Sequence, residues 1–154
     1  MNLGDILANE TIVPTLKAKD RWQAIEELVD VLIKSKSIQP QHRELVLAAL
    51  RKREQTMSTG IGFGVGIPHA TTECTSEVVG AFGRSTAGID FAALDNQPVH
   101  LVVLFLVPQG QFQKHLHTLA NIAKFLHDKK FRELLLHAKD PSAILAIIKG
   151  QEVK

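Results

Sequence analysis

The residues best placed to do chemistry lie at the end of a glycine-rich segment, residues 59–69. Glycine alternates with a bulky apolar residue from Gly60 to Ile67, and Pro68 then presents His69. An imidazole titrates near neutral pH and is a competent nucleophile when it is neutral. It needs a metal, a triad partner or an electrophile brought by another molecule. A lone histidine is more often structural or simply exposed, so the surroundings of His69 must decide.

The alternation in the glycine-rich segment predicts an extended strand. Such a strand would place Ile61, Phe63, Val65 and Ile67 on one face and four glycines on the other. Glycine weakens a strand, so either a partner approaches the bare backbone or the strand packs tightly against a neighbour. The segment is not a dinucleotide-binding fingerprint, because it lacks the third glycine of that motif. It is not a nucleotide P-loop either, because no Gly-Lys-Ser/Thr follows.

A metal centre or a serine triad is poorly supported by the remaining side chains. The chain has seven histidines but one cysteine, Cys74, so it can form neither an internal disulfide nor a cysteine-based zinc site. His115 and His117 are two residues apart on a predicted helix and diverge by about 200°. Neither a His-Glu-x-x-His pattern nor a Gly-x-Ser-x-Gly elbow occurs. We predict no metal and no cofactor, and a metal hydrolase is a distant alternative.

The two neighbouring histidines occupy different faces of their helix. His115 shares its face with Leu119, Ile122 and Leu126, whereas His117 shares its face with Asn121, Lys124 and Asp128. His115 therefore borders the buried face and could be a satisfied core histidine, and His117 should point to water.

Farther upstream, the basic cluster 51–53 ends a predicted helix. Interaction with the helix dipole is sufficient to explain that cluster unless a specific anion lies nearby.

The elements that must position these residues form helices on both sides of a block of strands. The 154 residues, 45% hydrophobic and 22% charged with a net charge of +2, predict one domain over residues 1–154 and do not favour a nucleic-acid partner. No targeting segment is visible, and the apolar run 101–107 is too short to span a bilayer. With one cysteine, a cytoplasmic location is expected.

Local patterns predict the individual elements. We predict a short amphipathic turn over 2–8, an edge strand over 11–16 with Pro14, a helix capped by Asp20, a helix from Pro40 to about Arg53, strands over 60–67, 77–84 and 99–107, and helices over 113–127, 130–138 and 142–149, the last ended by Gly150. The almost wholly apolar run 99–107 is typical of a central strand covered on both faces. Helices before and after the strands indicate a sheet between helical layers.

Several segments together resemble the enzyme IIA domain of the fructose–mannitol class of the bacterial phosphotransferase system. They are the runs Arg-Glu-Gln-Thr-Met-Ser-Thr-Gly-Ile-Gly at 53–62, Gly-Ile-Pro-His at 66–69, Gly-Ile-Asp-Phe at 88–91, Leu-Asp-Asn-Gln-Pro-Val at 94–99 and Lys-His-Leu-His-Thr-Leu at 114–119. The resemblance covers about residues 3–148 and is greatest to the nitrogen-regulatory branch. It implies an α/β fold, a three-layer α/β/α sandwich with a mixed central sheet of about five strands.

The resemblance also implies roles for individual residues. His69 would accept a phosphoryl group, through Nε2, from a small histidine-containing carrier protein of the HPr or NPr kind. His115 would lie beside His69 and stabilise the phosphorylated state, and Arg53 would lie near the site. A phosphoryl group carries roughly −1.5 to −2 charges near neutral pH and needs donors. The hydroxyls of Ser58 and Thr59 and backbone amides near the glycines are further candidates.

Three functions stay open at this point. The favoured one is a phosphocarrier in nitrogen or metabolic regulation, since no fused permease or second carrier domain is visible. The second is a sugar-specific enzyme IIA of the fructose or mannitol kind that passes the phosphoryl group to a membrane permease component. The third is an interaction module that binds regulatory target proteins according to the phosphorylation state of His69.

Overall fold

A mixed sheet of six strands lies between two layers of helices in the computed structural model. The structure describes the backbone of residues 3–153 and the side chains of residues 3–150. The helices are α1 (Leu3–Ile6), α2 (Arg21–Lys34), α3 (Arg43–Thr56), α4 (Phe112–His127), α5 (Lys129–His137) and α6 (Pro141–Val153). The strands are β1 (Ile12–Val13), β2 (Gly60–Gly62), β3 (Val65–Gly66), β4 (His69–Thr72), β5 (Val79–Ile89) and β6 (Val99–Pro108). This architecture confirms the predicted α/β sandwich.

Strand β6 is the centre of the sheet, whose order is β1-β5-β6-β3-β2. It pairs antiparallel with β5 along one edge. Along its other edge it pairs in parallel with β3 and then with β4, so that Val65 is opposite Leu101 and His69 is opposite Phe105. Because β3 and β4 share that edge, the sheet is five strands wide, and the site-bearing strand β4 lies directly against the central strand.

The two faces of β6 are covered by different helices. Val102, Leu104 and Leu106 pack into a core with residues of α2 and α3, among them Leu28 and Leu47. The alternate residues of β6, Leu101, Val103 and Phe105, pack into a second core with residues of α4, α5 and α6. A strand buried on both faces must be apolar at every position, as its sequence predicted.

The predicted start of α2 is confirmed, whereas the predicted start of α3 at Pro40 and the predicted end of α6 are wrong. Pro40–His42 forms a separate 3₁₀ helix, and α3 begins at Arg43. Asp20 Oδ1 accepts a hydrogen bond of 2.8 Å from the Gln23 amide and so caps α2. Helix α6, however, continues through Gly150 to Val153. A single glycine costs a helix only about 1 kcal/mol and does not end it without a left-handed C-terminal turn. None of the helices within residues 3–153 combines the length and the apolar character that crossing a membrane requires.

The glycine-rich segment forms a hairpin, so the prediction of one continuous strand is wrong. Strands β2 and β3 pair antiparallel, and the chain reverses at Phe63 and Gly64. Gly62, Phe63 and Gly64 have φ angles of 99°, 58° and 78°. Gly62 and Gly64 adopt positive angles freely, whereas Phe63 adopts its own in the left-handed region that bulky residues rarely occupy. Phe63 consequently lies at the tip with 60% of its surface exposed instead of facing the core.

The glycines at the base of the hairpin pack against the protein itself. A Cβ atom on Gly60 would lie 2.8 Å from the Cβ of Ala93, and a Cβ on Gly66 would lie 3.0 Å from ring atoms of Phe91. The tightly packed alternative is therefore the right one at these two positions. The expectation that they leave a bare face for a partner is wrong.

Candidate functional site

His69 lies where the end of α3, the start of β4 and the start of α4 meet. Two cavities adjoin there, of about 510 Å³ and 380 Å³, and His69, Arg53 and Phe112 line both of them. Each of these three residues comes from a different element. The pairing of β4 with β6 fixes His69, and the packing of α3 and α4 on opposite faces of the sheet brings the other two to it.

The imidazole of His69 is held by a backbone carbonyl. Its Nδ1 lies 2.9 Å from the carbonyl oxygen of Ile67. A carbonyl oxygen can only accept a hydrogen bond, so Nδ1 carries the proton and Nε2 carries the lone pair. No side chain that the structure describes makes a hydrogen bond to Nε2. No sequence pattern indicates this contact, because any residue at position 67 has the same carbonyl.

The surroundings of His69 keep the ring neutral. It is half-buried, and it stacks on Phe112 with ring centroids 6.2 Å apart and planes inclined by 13°. Burial lowers the pKa of His69, and the positive charge of Arg53 lowers it further, against the opposing effects of the Ile67 hydrogen bond and of Glu54. A neutral imidazole with a free Nε2 is the nucleophilic form.

The larger cavity beside His69 is suited to an anion. Arg53 and Lys52 of α3 line it, together with Thr56 and Thr71. One guanidinium nitrogen of Arg53, Nη1, donates to the carbonyl of Met57 at 2.9 Å, which anchors the side chain at the end of its helix. The remaining guanidinium donors stay available for an oxyanion, which arginine binds through paired hydrogen bonds.

The smaller cavity is apolar and opens on to an exposed apolar surface. Its lining includes Ile61, Ile67 and Leu119 as well as Met57, Leu94 and Leu116. The last three are 60%, 65% and 46% exposed. Exposed apolar side chains grouped around a cavity are typical of a surface that binds another protein. We call Met57, Leu94 and Leu116 the apolar rim.

The hydroxyl protons of Ser58 and Thr59 are donated within the protein. Ser58 Oγ donates to the carbonyl of Phe91 at 2.8 Å, and Thr59 Oγ1 donates to Glu54. Thr59 is also 96% buried, since its relative exposure is 4%. In this conformation neither hydroxyl is free to donate to a phosphoryl group, so a stabilising role for them would require these hydrogen bonds to open.

Glu54 is a buried carboxylate of this site that the sequence analysis did not single out. It is only 1% exposed, and it accepts hydrogen bonds from the Thr59 amide at 2.8 Å and from Arg21 Nη1 at 3.3 Å. In the sequence it lies in a strongly charged helix end, where glutamate is normally solvated. Only the packing of α3 against α2 and the sheet shows that it points inwards.

The two histidines of α4 lie on different faces, as their spacing predicted. His115 is buried, and His117 is exposed. Burial lowers the pKa of His115, and neighbouring Lys114 lowers it further. His115 lies one turn after Phe112 on α4 but does not line either cavity. Its predicted position beside His69 therefore stays a prediction.

Within the described residues, no group of three or more His, Cys, Asp or Glu side chains could hold a metal ion.

Comparison with known proteins gives a consistent result. The model of the family "Phosphoenolpyruvate-dependent sugar phosphotransferase system, EIIA 2" matches residues 5–151. The chain is 36% identical over 148 residues to a nitrogen regulatory protein of Bradyrhizobium diazoefficiens, covering 96% of this chain and 95% of that protein. It is also 36% identical to the fructose-specific EIIABC component of Bacillus subtilis, over 96% of this chain but 23% of that protein.

A solved structure agrees with these sequence relatives. The crystal structure of the nitrogen regulatory protein IIA-Ntr from Neisseria meningitidis superposes with a TM-score of 0.86 at 31% identity. The match covers 95% of this chain and 98% of that one. The shared fold therefore extends over almost the whole of both chains.

Proposed function

The chain belongs to the EIIA type 2 family of the phosphoenolpyruvate-dependent sugar phosphotransferase system, and from this premise we propose that it is a phosphocarrier that accepts a phosphoryl group on His69. The donor is a small carrier protein of the HPr or NPr kind that is phosphorylated on a histidine. The favoured role is nitrogen or metabolic regulation, in the cytoplasm.

The proposed reaction is an exchange of one nitrogen–phosphorus bond for another. The lone pair of His69 Nε2 attacks the phosphorus in line, and the bond to the donor's imidazole breaks with its electron pair returning to that ring. No net proton transfer or redox change is needed. Catalysis consists of positioning the two rings and stabilising the phosphoryl charge.

The hydrogen bond from His69 Nδ1 to the Ile67 carbonyl is the observation that carries this proposal. It leaves Nε2 as the one nucleophilic ring nitrogen, in the same residue that borders the cavity lined by Arg53 and Lys52. His100 has the same kind of Nδ1 contact but does not border this cavity. The Nδ1 of His100 lies 2.9 Å from the Ser85 carbonyl.

The apolar rim supports a protein as the donor. A small phosphorylated metabolite would need polar contacts on every side of the phosphoryl group, whereas here one side of His69 is cationic and the other apolar. A carrier protein can place its phosphohistidine on the cationic side while its own apolar surface covers the rim.

The identities to regulatory and to fructose-specific relatives are equal, so they do not distinguish the two roles. Regulation is favoured by the motifs of the nitrogen-regulatory branch and by the fold match to IIA-Ntr over almost all of both chains. The sugar-transport role, with onward transfer to a permease component, is the second candidate and is supported by the fructose-specific relatives.

Labelling by a phosphorylated carrier tests the proposal. The intact protein should incorporate one acid-labile phosphoryl group, and His69→Ala should incorporate none. His100→Gln is the matched control, because it removes a histidine of the same tautomer outside the site and should label like the unaltered protein. Undiminished acid-labile labelling of His69→Ala would refute the assignment.

A second experiment separates the three roles. Labelled protein is mixed with a sugar-specific permease component, and rapid loss of the label to it would favour transport. Pull-downs with His69→Ala and His69→Glu then compare partners of the two charge states. Partners that bind one variant and not the other favour the two state-dependent roles over transport. Passage of the label to such a partner marks a carrier, and retention of the label on this protein marks an interaction module.

A further inference from the structure

A buried chain of hydrogen bonds begins at Glu54, which lies away from the reacting nitrogen. The carboxylate receives the amide of Thr59 at 2.8 Å and the hydroxyl of the same residue. Oε2, the oxygen that accepts from the Thr59 amide, also accepts from Arg21 Nη1 at 3.3 Å. Glu54 and Thr59 are 1% and 4% exposed, so these contacts are shielded from water. Burial of a carboxylate is costly unless such donors satisfy it.

The chain continues from Thr59 to the ring of His69. The Thr59 carbonyl accepts a hydrogen bond of 3.0 Å from the Ile67 amide, across the base of the β2–β3 hairpin. The Ile67 carbonyl in turn accepts the proton of His69 Nδ1 at 2.9 Å. Thr59 and Ile67 therefore link the carboxylate to the imidazole. In each residue the amide and the carbonyl belong to different peptide groups, so the link acts through the position of the backbone and not through polarisation of one peptide group.

We propose that Glu54 is a positioning residue that sets the tautomer of His69 by fixing the backbone of Thr59 and Ile67. The carboxylate holds both the amide and the hydroxyl of Thr59 and so restrains the backbone dihedral angles of that residue. The Thr59 carbonyl in turn holds the Ile67 amide, which restrains the backbone of Ile67 and keeps its carbonyl aimed at Nδ1. Without it, the Ile67 carbonyl loses its fixed direction, and the imidazole exchanges between both tautomers. The effect on phosphoryl transfer rests on the proposed function, but the tautomer itself does not.

The ion pair with Arg21 explains why a carboxylate is used. The Arg21 side chain is 21% exposed and joins α2 to the end of α3. A glutamine at position 54 offers one uncharged acceptor oxygen in place of two charged ones. Even if that oxygen replaces Oε2 and keeps the Thr59 amide and Arg21, those hydrogen bonds lose their charge assistance and the Thr59 hydroxyl loses its acceptor, so Glu54→Gln should loosen the chain with little change in volume.

Nitrogen-15 NMR of the imidazole measures the tautomer directly in the unphosphorylated protein. The spectra are recorded well above the pKa of His69, where the ring is neutral in every variant. The unaltered protein should show a protonated Nδ1 and an unprotonated Nε2. Glu54→Gln should move the two chemical shifts towards each other. Arg21→Gln keeps the carboxylate and should cause a smaller shift in the same direction.

Glu26→Gln is the matched control. Glu26 also pairs with an arginine between α2 and α3, through Arg51 Nη2 at 2.7 Å, but it has no contact with Thr59. This variant removes the same charge from the same helix pair and should leave the tautomer unchanged. An equal shift in Glu26→Gln would show a general effect of charge or stability and would overturn the proposal.

Labelling rates give the second readout. The labelling rate is measured at a pH well above the pKa of His69. In Glu54→Gln this rate should fall by the same factor as the fraction of His69 that has a protonated Nδ1, because only that fraction is reactive. A folded Glu54→Gln protein with an unchanged tautomer would overturn the positioning role. If no variant is labelled, including the unaltered protein, the proposed function fails while the NMR result still decides the role of Glu54.

Discussion

Replacing Gly66 by alanine tests whether the glycine-rich hairpin is packed against the protein or open to a partner. The added Cβ would lie 3.0 Å from two ring atoms of Phe91 and 3.2 Å from a third. Phe91 is fully buried in the core beneath α2 and α3, so its ring has little freedom to move away. The substitution leaves the backbone unstrained, because Gly66 is not among the glycines with positive φ.

The expected loss of stability combines two opposing effects. Overpacking a rigid core costs about 1–3 kcal/mol. Replacing glycine by alanine restricts the unfolded chain and returns about 0.4–1 kcal/mol. With the centre of each range, the free energy of unfolding should fall by about 1.3 kcal/mol. With a denaturant slope of about 2 kcal/mol per molar, the urea midpoint should fall by about 0.6 M.

Urea unfolding of three glycine variants isolates the contact with Phe91. Gly150 lies inside α6 with nothing within 4 Å of an added Cβ and no positive φ, so Gly150→Ala should be neutral or stabilising by up to about 1 kcal/mol. Gly110 has a φ of 84° and equally open space, so Gly110→Ala should report backbone strain alone, about 1–2 kcal/mol.

The result that would refute the packing argument is a Gly66→Ala protein as stable as the unaltered one. If that protein also labelled slowly with the phosphorylated carrier, the hairpin face would be a partner surface after all. A loss of stability with normal labelling of the folded fraction would place the contact inside the protein, as the distances indicate.

Three further predictions concern the site. The labelling rate should be constant near neutral pH and fall on acidification with a midpoint below pH 6.5. The reason is that the pKa of His69 is lowered from 6.5 and that only the neutral ring attacks. An NMR titration of His69 with a midpoint above pH 6.5 would contradict this. Arg53→Gln should slow labelling about 10- to 100-fold, because the loss of a charged hydrogen bond costs about 1.5–3 kcal/mol. It should also raise the pKa of His69. An unchanged labelling rate would remove Arg53 from the site. His115→Ala should keep the fold and slow transfer or shorten the lifetime of the phosphorylated form, whereas exposed His117→Ala should be nearly silent in the same assay, and equal losses would overturn the distinction between the two faces.

The hydrophobic patterns predicted the layers well because burial repeats with the period of each element. The continuous apolar run of β6 and the capped start of α2 are local features, and both are confirmed. The faces of α4 followed from spacing alone in the same way, since 3.6 residues per turn fix which side chains share a side. His69 was also evident, because few residue types can act as nucleophiles near neutral pH.

The failures occurred where one local pattern is compatible with two structures. Alternating glycine and apolar residues fit a strand, but glycine equally permits the positive φ angles that make residues 60–66 a hairpin. Gly150 fits a helix end, but it lacks the positive φ of a left-handed C-terminal turn, and α6 continues to Val153. In both cases glycine permits either conformation, so the local pattern alone does not choose between them.

From the amino-acid sequence alone it follows that a histidine comes after the glycine-rich segment and that an arginine lies near the end of the preceding helix, and the hydrophobic pattern indicated helices on both sides of the sheet. The three-dimensional packing decided which nitrogen of His69 is free, because the Ile67 carbonyl is a backbone group without a sequence signature. It also decided that Glu54 is buried and that a cationic and an apolar cavity meet at one imidazole. Side-chain identity fixes what chemistry a residue can do, whereas the packing of distant elements fixes its direction, its partners and its exposure to water.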